Sequence, residues 1–224
     1  MPFYNERGTL DTIVRRVLAA EPGVPVELVM VDDASTDESA ALAERLAAED
    51  DRIRLVRHEI NRGKGAGVRT AIAAATGTIG IVQDADLEYD PAEYAKLIEP
   101  ILAGRADAVY GSRFLAGRPA TAPAKVVLAN KLLTALSNLV NGLRLTDMET
   151  CYKAVRMDLL KSLPLTSDRF GIEPELTARL ARARARFAEV PISYNPRGYA
   201  EGKKIGWRDG AAALWHIVRF RFGR

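Results

Sequence analysis

The sequence predicts an α/β protein with a mostly parallel central sheet covered by helices on both faces. Three observations carry that expectation. Short apolar runs alternate along the chain with stretches of helical periodicity, which is the pattern of consecutive βα units. The strand-like runs at 26–31, 53–56, 79–82 and 108–110 are four to six residues or fewer and rich in Val, Ile and Leu. Polar clusters follow several of them directly, and ligands in such sheets sit at the carboxyl ends of the strands.

Length and composition narrow the class. At about 150 residues per domain, 224 residues make one domain with at most a small extension. Hydrophobic residues are 48% and charged residues 27%, so the chain is globular rather than disordered. Lys and Arg number 32 against 29 Asp and Glu, a net charge of +3. That is too slight to imply nucleic acid, although it permits an anionic partner. The single Cys151 excludes an internal disulfide and a cysteine-built metal site, which fits a cytoplasmic setting. No signal peptide opens the sequence, and no apolar run approaches the roughly 18 residues of a spanning helix.

The elements follow in order. Met1 to Glu6 reads as a loop. Leu10, Ile13, Val14, Val17 and Leu18 then form the stripe of an amphipathic helix, which Glu21-Pro22-Gly23 ends. Val26 to Val31 is a buried strand closed by Asp32-Asp33, and a helix with Leu42 and Leu46 follows. Strand 53–56 leads to a helix from about Lys64 to Ala75, and strand 79–82 leads to a helix from Pro91 to Leu102. After strand 108–110 come a long helix from about Lys125 to Leu143, a helix from Pro174 to Arg184, and a strand from Ala188 to Tyr194. The last segment, about 205–224, is basic and amphipathic. No repeat or linker divides the chain.

Asp84 and Asp86 close an apolar strand two residues apart, so an extended backbone would turn both carboxylates to one face, with Glu88 continuing the parity. Hard oxygen donors of this kind suit Mg²⁺ or Mn²⁺ completed by a substrate diphosphate. An isolated Asp-x-Asp is more often a solvated acidic turn. The segment Asp32 to Asp37 closes another strand, where its side chains would meet a ribose or base, or cap the next helix. Asn61-Arg62-Gly63-Lys64-Gly65-Ala66-Gly67 opens a helix whose glycines permit close backbone approach and whose N-terminus favours an anion. It matches neither the P-loop nor the dinucleotide pattern. His58 and His216 form no metal or nucleophile constellation, and His58 reads as a surface residue.

Pro2-Phe3-Tyr4-Asn5-Glu6, Asp32-Asp33-Ala34-Ser35-Thr36-Asp37, Asn61 to Gly65, Asp84-Ala85-Asp86 and Gly111-Ser112-Arg113-Phe114 occur in the order seen in family 2 glycosyltransferases. Through Thr146 to Lys153 and the 197–204 loop, the chain resembles most the polyprenyl-phosphate sugar synthases. The resemblance implies a GT-A fold, a nucleotide-sugar donor, a polyprenyl phosphate acceptor, a divalent metal and inversion at the anomeric carbon. By position, Pro2, Tyr4, Glu6 and Asp33 would hold the nucleoside. Asp84, Asp86 and Glu88 would bind or support the metal, and Arg113, Arg197 and one of Lys203 or Lys204 would contact the donor phosphates. Lys64, in the anion-favouring segment that opens the third helix, is also counted as cofactor-binding. The family's first strand precedes Pro2, so that strand is expected to be missing here.

Charge dictates the rest. A departing nucleoside diphosphate gains negative charge that metal, Arg and Lys stabilise. A phosphate acceptor, with a second pKa of about 6, needs no strong base. A saccharide hydroxyl acceptor, the alternative, needs a carboxylate in reach; Asp147 is the first candidate and Glu149 the second, unless that segment is only a polar loop. A nucleotide-sugar-binding pseudoenzyme is the reading of another class, and the Asp84/Asp86 pair argues against it. Two apolar stripes remain: Ala211, Leu214, Trp215, Val218 and Phe222 in the tail, and Leu128, Leu132, Leu136, Leu139 and Leu143 in the long helix. Both are flanked by Lys and Arg, and each would either pack on the core or lie in a membrane interface. A peripheral place on the cytoplasmic face of the membrane is the expectation.

Overall fold

A computed structural model describes residues 1–117, 123–196 and 207–222. In chain order the elements are β1 (Pro2–Phe3), α1 (Leu10–Ala19), β2 (Leu28–Asp32), α2 (Ser39–Glu49), β3 (Ile53–Arg57), α3 (Lys64–Ala74) and β4 (Ile79–Ile81). A single 3₁₀ turn, Pro91–Glu93, then leads into α4 (Tyr94–Leu102), followed by β5 (Ala108–Ser112) and α5 (Ala124–Asn141). The series closes with β6 (Lys153–Arg156), α6 (Met157–Ser162), α7 (Ile172–Arg182), β7 (Phe187–Pro191) and α8 (Trp207–Phe222).

The strands form two sheets. β1, β2 and β3 are parallel neighbours, and the second sheet runs β4-β6-β5-β7. β6 is antiparallel to both β4 and β5, whereas β5 and β7 are parallel. The expected mostly parallel sheet is therefore mixed in its second half. The sequence reading also misses β6 and α6. β6 is four residues, Lys-Ala-Val-Arg, too short to show a period, and its place between β4 and β5 is set by tertiary packing.

The opening residues are corrected too. Pro2–Phe3 is strand rather than loop: Pro2 pairs with Val31 and Phe3 with Asp32, and ahead of it the Met1 nitrogen donates to the Val29 carbonyl at 2.8 Å. Two paired residues are enough to start the sheet but not to reach β4. Between the two halves lies a largely apolar cavity of about 560 Å³, lined among others by Val29, Val68, Ile72, Ile79, Ile81 and Ile98.

Each sheet face has its own core. Leu10, Ile13, Val14 and Val17 of α1 pack with Leu46 of α2, Leu97 and Ile101 of α4, Met30 and Val109. Leu176 and Leu180 of α7 and Leu160 of α6 pack with Ala108, Tyr110 and Val155 on the other side, joined by Ile72 of α3. Ala108 and Tyr110 thus face one way and Val109 the other, the period-two alternation of a strand buried on both sides. A third cluster joins Leu133, Met148, Ala213 and Ile217, where α8 lies on α5.

The glycines that open α3 serve packing. A Cβ on Gly65 would overlap the carbonyl oxygen of Ser167, and one on Gly67 would come within 2.6 Å of Pro2 Cβ. Gly63 has a φ of +94°, a conformation few residues other than glycine adopt. The close approach inferred for these glycines is therefore to the 167–169 segment and to β1. Gly65→Ala is expected to lower the midpoint of thermal unfolding by a loss of about 1–3 kcal/mol, the usual cost of overpacking. An unchanged midpoint would show that the 167–169 segment gives way freely.

Candidate active site

The expected residues meet where the strands end, though not all of them offer a side chain to a ligand. Tyr4 and Glu6 are half-buried in the loop after β1. The Glu6 amide donates to Ser39 Oγ at 2.9 Å. From the same loop Thr9 Oγ1 donates to the Ala85 carbonyl at 2.8 Å, tying Tyr4 and Glu6 to the Asp84 to Asp86 segment. Pro2 is buried in β1 against Gly67.

Asp33 is also corrected. It is 3% exposed, and its carboxylate accepts from the Arg62 and Gly63 amides at 2.9 and 2.7 Å. His58 Nδ1 lies 2.7 Å from the same group, while His58 Nε2 is 2.9 Å from Thr70 Oγ1. A carboxylate so engaged has little left for a ribose; it organises the turn that leads into α3. His58, expected on the surface, has a side chain only 6% exposed for this reason.

Lys64, the first residue of α3, reaches Asp84 at 2.8 and 2.9 Å and Glu173 of α7 at 3.1 Å. Burial opposes the charged forms of both Lys64 and Asp84. Their attraction prevails, holding the ammonium well above and the carboxyl below its ordinary pKa. Glu173 in turn pairs with Lys153 of β6, which is fully buried, donates to the Thr150 carbonyl and stands 5.0 Å from the centre of the Tyr110 ring. Asp84, Lys64, Glu173 and Lys153 form one ladder of alternating charge. Glu173 and Lys153 were not singled out in the sequence, because an acid in the first turn of a helix reads as dipole compensation.

The carboxylates after β4 do not follow strand parity. β4 ends at Ile81 and the chain bends from Ala85 onward. Asp86 Oδ1 turns back to the Glu88 amide at 3.1 Å, and Glu88 Oε2 accepts from Tyr194 at 3.1 Å. Among the described residues no three His, Cys, Asp or Glu side chains stand together as a ready cation site. Asp84, Asp86 and Glu88 thus lie on a bend rather than an extended strand, and hard oxygens there would still take phosphate oxygens to complete an octahedron. Beneath it, Gln83 accepts from Tyr94 and Tyr152 hydroxyls at 2.6 and 2.8 Å and donates to the Asp84 carbonyl at 2.9 Å.

Arg113, just past β5, is clamped by Asp147. Its Nε and Nη2 donate to the two carboxylate oxygens at 2.6 and 2.7 Å, and its amide donates at 3.0 Å. Glu189 of β7 fixes the Asp147 segment by accepting from the Thr146 amide and hydroxyl and the Asp147 amide. Asp147 is fully buried, so the base role expected of it is corrected: both oxygens are committed, and it positions Arg113. The guanidinium stands 5.1 Å from the Tyr194 ring, and Asn195 donates to the Glu88 carbonyl at 2.9 Å. Arg197, Lys203 and Lys204 lie outside the described residues. Cys151 is buried and burial pushes its thiol up, so it is no nucleophile.

The fold, an α/β sheet with acids and cations gathered at the strand ends, is GT-A-like. The sequence profile of the glycosyl transferase family 2 matches residues 1–163, and the chain belongs to that family. It is 30% identical to an undecaprenyl-phosphate mannosyltransferase of Micrococcus luteus, covering all of this chain and 97% of that protein. It is 31% identical to a polyprenol monophosphomannose synthase of Mycolicibacterium smegmatis over 92% of this chain and 80% of the relative. Glycosyltransferase AglD of Haloferax volcanii is 31% identical over 88% of this chain, which spans only 33% of AglD. Among solved structures, glucosyl-3-phosphoglycerate synthase from Mycobacterium tuberculosis, in complex with Mn²⁺, uridine diphosphate and phosphoglyceric acid, superposes with a TM-score of 0.73. The identity is 20%, covering 99% of this chain and 76% of that one. The protein is an enzyme of sugar transfer.

Replacing Asp147 by Asn would leave the Arg113 charge buried without its counter-ion. The expected loss is about 3–5 kcal/mol of unfolding free energy, read by urea denaturation. A loss below about 1 kcal/mol would show that the clamp is not what holds Arg113.

Proposed function

We propose that this chain transfers a sugar from a nucleotide-sugar, UDP- or GDP-linked, to a polyprenyl phosphate. The observation that carries the reading is the grouping at the strand ends: the Asp84 to Glu88 bend, Lys64 and Arg113, next to a loop bearing Tyr4 and Glu6. Relatives of about 30% identity named for undecaprenyl-phosphate and polyprenol substrates support this acceptor class.

The chemistry follows from charge. Asp84 is committed to Lys64, so Asp86, supported by Glu88, is the carboxylate we assign to a divalent ion. Bound Mg²⁺ or Mn²⁺ would neutralise charge on the departing diphosphate. Arg113, oriented by Asp147, presents a fixed cation to developing phosphate charge, which is worth most where its geometry is preset. The acceptor phosphate oxygen attacks the anomeric carbon on the face opposite the departing diphosphate, giving inversion.

Transfer from radiolabelled UDP- and GDP-sugars to a short-chain polyprenyl phosphate, with and without Mn²⁺, tests the proposal. Asp86→Ala is expected to lose about 10²-fold or more in kcat. Full transfer in excess EDTA, or by Asp86→Ala, would remove the metal assignment; transfer only to a saccharide hydroxyl would overturn the acceptor class.

The acceptor's lipid tail calls for a surface that meets a bilayer. No helix among the described residues is long and apolar enough to cross a membrane. Each of the two apolar stripes nevertheless leaves residues exposed, although Leu136 and Leu143 of the long-helix stripe are half-buried against the core. α8 buries Ala213, Ile217 and Phe220 and leaves Leu214, Trp215 and Val218 exposed, while α5 leaves Leu128, Leu132 and Leu139 exposed, the last at 82%. The side chains of Ala211 and Phe222 lie outside the described ones. Lys125, Lys131, Arg219 and Arg221 are on the same two helices, and α5 carries no acid. A basic helix pair with exposed leucines suits the interface of an anionic leaflet, and we place the enzyme peripherally on the cytoplasmic face. The double change Leu132→Asp, Leu139→Asp should abolish co-sedimentation with phosphatidylglycerol vesicles and leave transfer to a short soluble acceptor unchanged. Equal binding of both proteins would refute this face.

A further inference from the structure

Tyr194 stands between the cation and the carboxylates of the proposed donor site. The register of β7 on β5 pairs Pro191 with Ser112, and the Ile192 amide donates to the Ser112 carbonyl at 3.1 Å. The chain therefore leaves β7 alongside the end of β5, which brings Tyr194 to Arg113. The guanidinium carbon is 5.1 Å from the centre of its ring. In the other direction the Tyr194 hydroxyl donates to Glu88 Oε2 at 3.1 Å. One side chain thus adjoins Arg113 after β5 and Glu88 in the bend after β4.

Its own place is fixed by its neighbours. The Asn195 amide donates to the Glu88 carbonyl at 2.9 Å, so residues 194 and 195 grip Glu88 by side chain and by backbone. Ser193 adds bonds from its amide and hydroxyl to Glu93 Oε2, at 2.9 and 3.2 Å. The Tyr194 ring lies 5.4 Å from that of Tyr89, which lies 4.8 Å from that of Tyr152. Both of those tyrosines are buried, so the half-buried phenol is braced from the core.

Hydroxyl and ring hold different things. Glu88 passes its restraint on, because its amide donates to Asp86 Oδ1 at 3.1 Å, and Asp86 is the carboxylate assigned to the divalent ion. Partners behind a metal ligand orient it before the ion arrives. For Arg113 the support is of another kind. Asp147 fixes the guanidinium edge through Nε and Nη2, and the rings of Tyr194 and Phe114 flank it, the latter at 5.6 Å. An aromatic neighbour steadies a cation without neutralising it.

On the reading of this chain as a metal-dependent glycosyltransferase, we infer that Tyr194 is a positioning residue with two separable duties. Its hydroxyl places Glu88, and through it Asp86, for the divalent ion. Its ring places Arg113 for the donor phosphates. Removing the hydroxyl alone leaves the second duty intact.

The test uses the full chain, Mn²⁺, and UDP and GDP as probes, and it reads binding without turnover. Mn²⁺ is titrated at saturating nucleotide, with the free ion measured by electron paramagnetic resonance. Nucleotide is titrated at saturating Mn²⁺ by calorimetry. Tyr194→Phe should weaken Mn²⁺ binding about tenfold or more, the usual cost of losing a partner behind a metal ligand. Its nucleotide affinity should stay within about twofold of wild type, because the ring beside Arg113 remains. Tyr194→Leu should weaken Mn²⁺ likewise and nucleotide about threefold or more. In a Glu88→Ala background Tyr194→Phe should change Mn²⁺ affinity by less than about twofold, since the pair is then already broken. The Phe variant keeps the side-chain volume, so it carries the test even where Tyr194→Leu folds poorly. A wild type that binds no nucleotide, or nucleotide but no Mn²⁺, brings down the reading and this inference with it. If the wild type binds both and Tyr194→Phe binds Mn²⁺ as tightly, or loses as much affinity with Glu88 as without it, the inference falls and the reading stands.

Discussion

The ladder from Asp84 through Lys64 and Glu173 to Lys153 is the constraint on which the site rests. Its members come from four places in the chain: the bend after β4, the start of α3, the start of α7 and the start of β6. Because β1 and β4 are not hydrogen-bonded, the two sheets meet through side chains, and Lys64 is a polar tie between them. Such pairs add little net stability, since desolvation offsets attraction. Their geometry is exacting, however. A displaced α3 or α7 would strand a buried charge, so the ladder selects one arrangement of the strand ends.

The same logic separates holding residues from those we propose to meet substrate. Asp33 closes the turn into α3, Asp147 clamps Arg113, and Gln83 with two tyrosines supports the Asp84 carbonyl. Each is a buried polar group whose bonds are made within the protein. What they hold faces the strand ends: Asp86, Glu88 and the planar cation of Arg113. An enzyme stabilising charge that develops on phosphates gains from donors whose orientation is settled before the substrate arrives.

Much of this was readable from residue pattern. The stripe of α1, the runs of β2, β3 and β5, and the clustering of motifs at strand ends all follow from local pattern, which depends on near neighbours alone. What pattern could not show is where a polar side chain spends its hydrogen bonds. Asp33 and Asp147 have the right residue type in the right place, yet their oxygens are taken by groups 25 to 34 positions away in sequence. Asp84 and Asp86 were read with strand parity, but the strand stops at Ile81. The leucine stripe of α5 was ambiguous for a related reason. Period gives a face, and only packing tells that Val127, Leu133 and Ser137 turn inward while Leu128, Leu132 and Leu139 turn out.

The cavity between the two sheets has a consequence for packing. Its walls are mainly aliphatic, and side chains on its two sides do not meet, so the dispersion contacts of a close-packed core are not made across it. Along the seam between β1 and β4 the relative placing of the sheets rests more on directional polar bonds than on interdigitated side chains, and Lys64 of α3, bonded to Asp84 beyond β4, supplies one of them.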